Sequence, residues 1–260
     1  MTTTARILLA ALPAAALLVT APETRAQAPA APAANAQVDP KADEVMRKMA
    51  TFLAGVKAFT VEADETFDVE FARAYRVSLG NVRTVTVERP SRFAADATGD
   101  TLHRSSWYDG KSLTVLNRKA NTYAILDMPG TIDSVLDKLA ADYEVYLPLS
   151  DLFYADPYGS LMDGVLYGKY LGVHQAAGVP CHHLTFGQDD LEWQIWIDTG
   201  PQPLPRKLAL AYWQQTGVPT YQATLRKWTL APKLTAAQFL FTPPAGAKKI
   251  DAARLAEMAR

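Results

Sequence analysis

From residue 58 the apolar side chains stop recurring at every third or fourth position and begin recurring at every second. That change of period constrains the fold more than anything else in the sequence. Phe59, Val61, Ala63, Phe67, Val69 and Phe71 fall on one side of an extended segment, with Glu65 as the exception. Thr60, Glu62, Asp64, Thr66, Asp68 and Glu70 fall on the other. A long strand with one wet face results. Shorter alternations follow at 82–88, 92–98 and 102–108, and Asp109-Gly110 is a tight-hairpin signal. Residues 112–116 and 122–126 continue the meander around a turn at Lys119-Ala120-Asn121. The two-residue period returns at 165–173, 181–186, 191–197, 206–213 and 220–230, with Gly, Pro and Asp pairs between the runs. Connections this short join neighbouring antiparallel strands. Pro243-Pro244 closes the patterned part, and 248–260 reads as a weakly amphipathic tail.

Two stretches keep a helical period. Asp39-Pro40 supplies an N-cap acid and a first-turn proline. Behind them Ala42, Val45, Met46, Met49, Phe52, Leu53 and Val56 form one apolar stripe opposite Lys41, Glu44, Arg47 and Lys48. Residues 131–163 predict a mid-chain insert of three helical pieces. The first carries Ile132, Val135, Leu136, Leu139 and Tyr143 behind a Thr131 cap; the second spans 149–154, and the third starts behind Asp156-Pro157. Its side chains are apolar on more than one side, which predicts burial. The fold class is therefore mainly β with some α, in about ten or eleven antiparallel strands. A sheet that large curls, so the expectation is an unclosed half-barrel whose concave face is covered by the helices.

The N-terminus bears on compartment. Arg6, an apolar run from Ile7 to Val19 and the triplet Ala26-Gln27-Ala28 match a secretory signal peptide, placed at 1–28. The run is too short to span a bilayer as a helix. Residues 29–38, rich in Ala and Pro, read as a flexible leader. One domain follows at 39–250, with a tail at 251–260. The chain has a formal charge of −1 and no Lys/Arg run, which disfavours nucleic acid and anionic membrane surfaces as partners. Cys181 is the only cysteine, so no internal disulfide is available, and the core must come from 5 Trp, 11 Tyr and 9 Phe among other apolar residues. The oligomeric state is not fixed by any of this.

No catalytic constellation stands out in the sequence, and no cofactor site. Cys181, His182 and His183 invite a metal, yet neighbours on a strand point to opposite faces. Cys181 and His183 share a face that His174 could reach, without a carboxylate at a matching spacing. No G-x-S-x-G elbow is present. Asp151 and Asp156 flank Phe153-Tyr154 but read as capping and turn residues. What remains is large apolar surface on curved faces, as in the run from Leu191 to Ile197. The cavity candidates are Phe67, Val69, Leu139, Leu152, Phe153, Trp193, Ile195, Tyr221 and Ala223.

Several segments, taken together, resemble a known family. They are Asp39-Pro40-Lys41-Ala42-Asp43, the 87–92 run ending Arg89-Pro90-Ser91-Arg92, Tyr108-Asp109-Gly110, and 149–157 through Asp156-Pro157. Gly178-Val179-Pro180-Cys181-His182-His183, Trp193-Gln194-Ile195-Trp196, Pro203-Leu204-Pro205-Arg206 and 241–250 complete the set. The chain resembles an uncharacterised family of predicted periplasmic bacterial proteins, itself similar to the LolA/LolB-like lipoprotein-carrier superfamily, over 39–250. The resemblance implies an unclosed antiparallel barrel with a helical lid, a periplasmic location, and a lipophilic small molecule, acyl chain or lipoprotein as partner. No functional residue carries over, and Arg92 is only a candidate polar group near the mouth. The functional expectation is a non-catalytic binding protein of the cell envelope. The alternatives are an envelope interaction or sensor protein with a self-filled cavity, and an enzyme with an unrecognised site.

Overall fold

The computed structural model describes residues 38–72, 75–143, 145, 147, 149–215 and 217–254. The expected signal peptide, the leader up to residue 37 and the tail from residue 255 lie outside the described residues.

Helix α1 (Pro40–Gly55) starts as its sequence dictates, with the Asp39 carboxylate accepting from Lys41 N at 2.8 Å and Pro40 in the first turn. A meander follows: β1 (Ala58–Ala72), β2 (Tyr75–Glu88), β3 (Arg92–Gly99), β4 (His103–Tyr108), β5 (Ser112–Asn117) and β6 (Thr122–Asp127). The insert then provides α2 (Ile132–Tyr143), a single 3-10 turn (Ser150–Leu152) and α3 (Pro157–Met162). Thr131 Oγ1 caps α2 by accepting from Ser134 N, and Asp156 caps α3 by accepting from Gly159 N. A second meander consists of β7 (Tyr167–Ala176), β8 (Val179–Gly187), β9 (Glu192–Asp198), β10 (Pro205–Ala211) and β11 (Thr220–Leu230), and a short β12 (Lys248–Lys249) comes last.

The two meanders are one sheet because β1 pairs antiparallel with both β2 and β11. The strand order is β12-β6-β5-β4-β3-β2-β1-β11-β10-β9-β8-β7, so β1, first in sequence, lies in the interior of the sheet and β7 is an edge. The sheet is curved and unclosed, and among the described residues it has 12 strands. The strand beyond the sequence expectation is β12, which pairs parallel with β6 at the other edge. Patterned structure thus continues past Pro243-Pro244. Phe239 is buried in this segment, and Phe241 packs on Trp107 and Tyr123 at 5.2 and 4.9 Å. Strand β2 also begins seven residues before the alternation at Val82, because Gly80, Asn81 and Arg83 disguise its periodicity.

Register assigns the two faces. Phe59, Val87, Phe93, Tyr108, Leu113 and Leu126 lie opposite one another in sequence across β1 to β6, and all are buried in the main core. Ala223, Leu208, Ile195 and Leu184 form the matching row across β11 to β8. Ala42, Val45, Met46, Met49 and Leu53 of α1 and Ile132, Val135, Leu136 and Leu139 of α2 join the same core. The helices therefore lie on the concave face. The opposite face carries a small separate cluster of Ala176, Cys181 and Trp196.

Candidate functional site

The concave face and its helical cover form the candidate site. Trp193, Ile195, Tyr221 and Ala223 from the sheet, and Leu139, Leu152 and Phe153 from the insert, are all buried in one continuous core. Phe67 packs against that core while partly exposed. Val69, two residues further along β1, is partly exposed and lies outside it. Phe153 meets the sheet through Phe59, at 6.0 Å between ring centroids, and Phe59 in turn contacts Trp228 at 5.4 Å. In this conformation the insert's apolar side chains occupy the space against the wall.

What pins the insert to the sheet is Arg89, at the end of β2, a residue that sequence reasoning passed over. Its guanidinium donates to the main-chain carbonyls of Leu152 (3.2 Å), Phe153 and Tyr154 (2.8 Å). Those residues lie in and after a 3-10 turn, too short a helix to satisfy its own carbonyls. Burial pulls the Arg89 pKa down and Asp133 of α2 partly restores it. The insert is braced further by Tyr154, whose hydroxyl donates to Asp137 at 2.9 Å, and by Ala155 N donating to Asp133 at 3.1 Å. The only local signal was an arginine before a proline at a strand end, which reads as a turn. Arg92, the candidate named from sequence, is on the outer face. It alternates with the inward Phe93, pairs with Glu88 at 2.5 Å and lies over the Phe239 ring.

Further along the concave face the lining turns polar. Glu65, the exception in the β1 alternation, is 2% exposed. Arg83 Nε donates to Glu65 Oε1 at 2.7 Å, and the Tyr221 hydroxyl donates to the same oxygen at 2.8 Å. Burial and the neighbouring Glu65 charge push the Tyr221 phenol well up. Burial would lower Arg83, but the Glu65 carboxylate outweighs it and holds the guanidinium charged. A buried ion pair of this kind requires all its partners, because removing one strands the other in a low-dielectric interior.

The histidines around Cys181 are divided between the two faces of the sheet. His182 is on the concave side, against the Tyr170 hydroxyl at 3.0 Å. His183 is on the outer side, stacked on Trp196 at 4.0 Å, with Nδ1 2.9 Å from His174 Nδ1 and Nε2 3.0 Å from Gln194 Oε1. Among the described residues no group of three or more His, Cys, Asp or Glu is placed to hold a metal ion. Burial first, and then Asp198, push the Cys181 thiol up to about 11, so it is a poor nucleophile at neutral pH. Asp151 accepts from Ser160 Oγ at 2.7 Å and Asp156 caps α3, so both carboxylates serve the insert's own architecture. A groove of about 630 Å³ between α1 and the turn that follows β9 is lined by Lys41, Lys48, Phe52, His182 and Pro203 among others. Lys41 and Lys48 there are both paired with Glu44.

Residues 42–253 match the family described as "Predicted periplasmic protein (DUF2092)". The chain belongs to that family. No curated protein matches the sequence. Among solved structures, this DUF2092 chain is similar to an uncharacterized conserved protein from Thermus thermophilus, at 11% identity and a TM-score of 0.49, covering 81% of this chain and 99% of that one. It is similar to the Mycobacterium tuberculosis lipoprotein LppX at 13% identity and a TM-score of 0.45, covering 76% and 99%. A putative outer membrane lipoprotein-sorting protein domain from Vibrio parahaemolyticus follows at 7% identity and a TM-score of 0.34, covering 76% and 96%. Among the described residues of the DUF2092 chain no helix is long and apolar enough to cross a membrane.

Proposed function

We propose that this protein is a non-catalytic binding protein of the periplasm that takes a lipophilic molecule, or the acyl part of a lipidated partner, against the concave face of its sheet. The insert acts as the gate. The observation that carries this reading is the way the insert is held. Its apolar underside meets an apolar wall, while three of its carbonyls depend on one side chain of the sheet, Arg89. An apolar contact is non-directional, so an acyl chain can replace Leu139, Leu152 and Phe153 against Trp193 and Ile195 at about 0.8 kcal/mol per buried CH₂. Displacing the insert and ordering the ligand cost several kcal/mol, so affinity of about micromolar strength is expected. Location in the periplasm accords with the family description and with the N-terminal signal-peptide pattern.

The test is titration with a fluorescent long-chain fatty acid, followed by quenching of tryptophan emission. Saturable binding, weakened by the space-filling Ala223→Trp and abolished by a cross-link that ties the insert to the sheet, is the expected result. Without saturable binding up to high micromolar probe, the carrier reading fails. The self-filled sensor, whose insert is a permanent plug, then takes its place. N-terminal sequencing of protein recovered from the periplasm should start between residues 26 and 31; recovery only in the membrane fraction overturns the export reading.

A further inference from the structure

Among the described residues, one cationic side chain on the concave face, Arg104, has neither an ion pair nor a hydrogen bond. By register, Arg104 of β4 lies opposite Ala97, Ala97 opposite Arg83, and Arg83 opposite Ala63, so both arginines project from the same face as the apolar rows. The two are not equivalent. Arg83 is neutralised by Glu65. The Arg104 guanidinium forms no ion pair and no hydrogen bond among the described residues, although it is more than half buried. Each candidate acid or acceptor nearby is engaged elsewhere. Asp96 is on the outer face and takes Arg118 and Ser105; Asp100 accepts from Gly80 N; Asn117, directly opposite on β5, accepts from Ala120 N. Burial, and then the charge of Arg83, lower the Arg104 pKa to about 10, which leaves it protonated at neutral pH.

A partly desolvated guanidinium beside a second cation is better stabilised when an anion meets it than by the protein alone. Arg104 lies four residues along β4 from Tyr108, which belongs to the row beneath the insert, so the charge is about 13 Å from the covered apolar end. Ala97 and Ser106, small side chains, lie next to it on the same face. The face is therefore amphipathic along its length, with an apolar end under the insert and, further along, a positive charge that no group among the described residues partners.

We infer that Arg104 receives the anionic head of an amphiphile, a carboxylate or a phosphate ester, whose apolar tail runs past Ser106 and Tyr108 towards the insert. This rests on the proposed binding of a lipophilic molecule to the concave face, and it narrows the ligand class from any apolar molecule to an anionic single- or multi-chain lipid. A planar guanidinium meets either oxyanion through two parallel hydrogen bonds, so the two chemistries share one site.

The experiment separates the inference from the reading beneath it. The neutral dye N-phenyl-1-naphthylamine is bound to the purified protein and displaced by three probes with the same tail: oleyl alcohol, oleate and oleyl phosphate. Both anions should compete about tenfold or more better than the alcohol, and their ratio to each other shows which oxyanion the site prefers. Arg104→Met should remove that preference while leaving dye and alcohol binding within about twofold, and Arg104→Lys should restore part of it. Dye and alcohol bound saturably, with oleate no tighter than alcohol in the unmodified protein, would overturn the role of Arg104 and leave the binding reading intact. Failure of all four molecules to bind would overturn both. Should Arg104→Met not fold by circular dichroism, the three-probe comparison on the unmodified protein and on Arg104→Lys still decides.

Discussion

The two covers of the concave face, α1 and the insert, do the same packing job with different internal resources. Helix α1 is 16 residues long, satisfies its own interior carbonyls and contributes six buried side chains from Ala42 to Leu53. The insert comprises a 12-residue helix, a 3-residue turn and a 6-residue helix, and its middle carbonyls depend on Arg89. Pieces that short have no helical stability of their own. The difference teaches which cover can leave. An element whose hydrogen bonds are internal comes off as a body and re-exposes a whole apolar stripe. One whose hydrogen bonds come from the sheet can unwind locally once they are lost.

The largest expected effect is on the permanent cover. Leu53→Ala, at a fully buried α1 position, should lower unfolding stability by about 2–5 kcal/mol in denaturant titration. A loss below about 1 kcal/mol would show that α1 is not fixed to the core. Arg89→Met should cost about 1–3 kcal/mol, and its signature should be local: faster amide exchange across 149–162, with little change in 42–53. If exchange rises equally in both covers, the distinction between them fails. The smallest effect concerns pH. Burial, then Lys41 and Lys48 of α1, hold His182 below its ordinary value. The unfolded chain therefore binds the proton more readily, so this contribution to stability is present above about pH 6.5 and is lost as pH falls through the lowered folded value. A slight fall in the unfolding midpoint between about pH 7 and pH 5, reduced in His182→Gln, is expected. An unchanged slope in that variant would remove His182 from the account.

Much of this architecture could be read from alternation, because each strand has one buried face and the period of two survives wherever that face is apolar. Trp193, Ile195, Tyr221 and Ala223 lie in the shared core for that reason, and the first and third pieces of the insert were marked by Thr131 and by Asp156-Pro157. Legibility failed where a buried position is polar. Glu65 broke the β1 pattern, and Asn81 and Arg83 hid the first half of β2, yet these residues build the polar part of the concave face. Their compensation comes from partners 18 and 156 residues away in sequence, which no local window contains. Arg89 was missed likewise, its acceptors being 63 to 65 residues distant. The C-terminal segment holds Phe239 and Phe241 without any period, so its packing left no trace in the pattern.

The seam between β1 and β11 also governs how the chain must be assembled. Phe67 pairs with Tyr221, and Phe59 with Leu230. A chain delivered N-terminus first can zip β1 through β6 as each hairpin appears. The other side of β1, however, keeps the backbone of Phe59 to Phe67 unpaired until residues 220–230 arrive. Pairings this distant in sequence close slowly, and an open strand edge next to apolar rows invites association with another chain in the interval. Premature termination anywhere before β11 should therefore yield an aggregating fragment rather than a smaller stable domain.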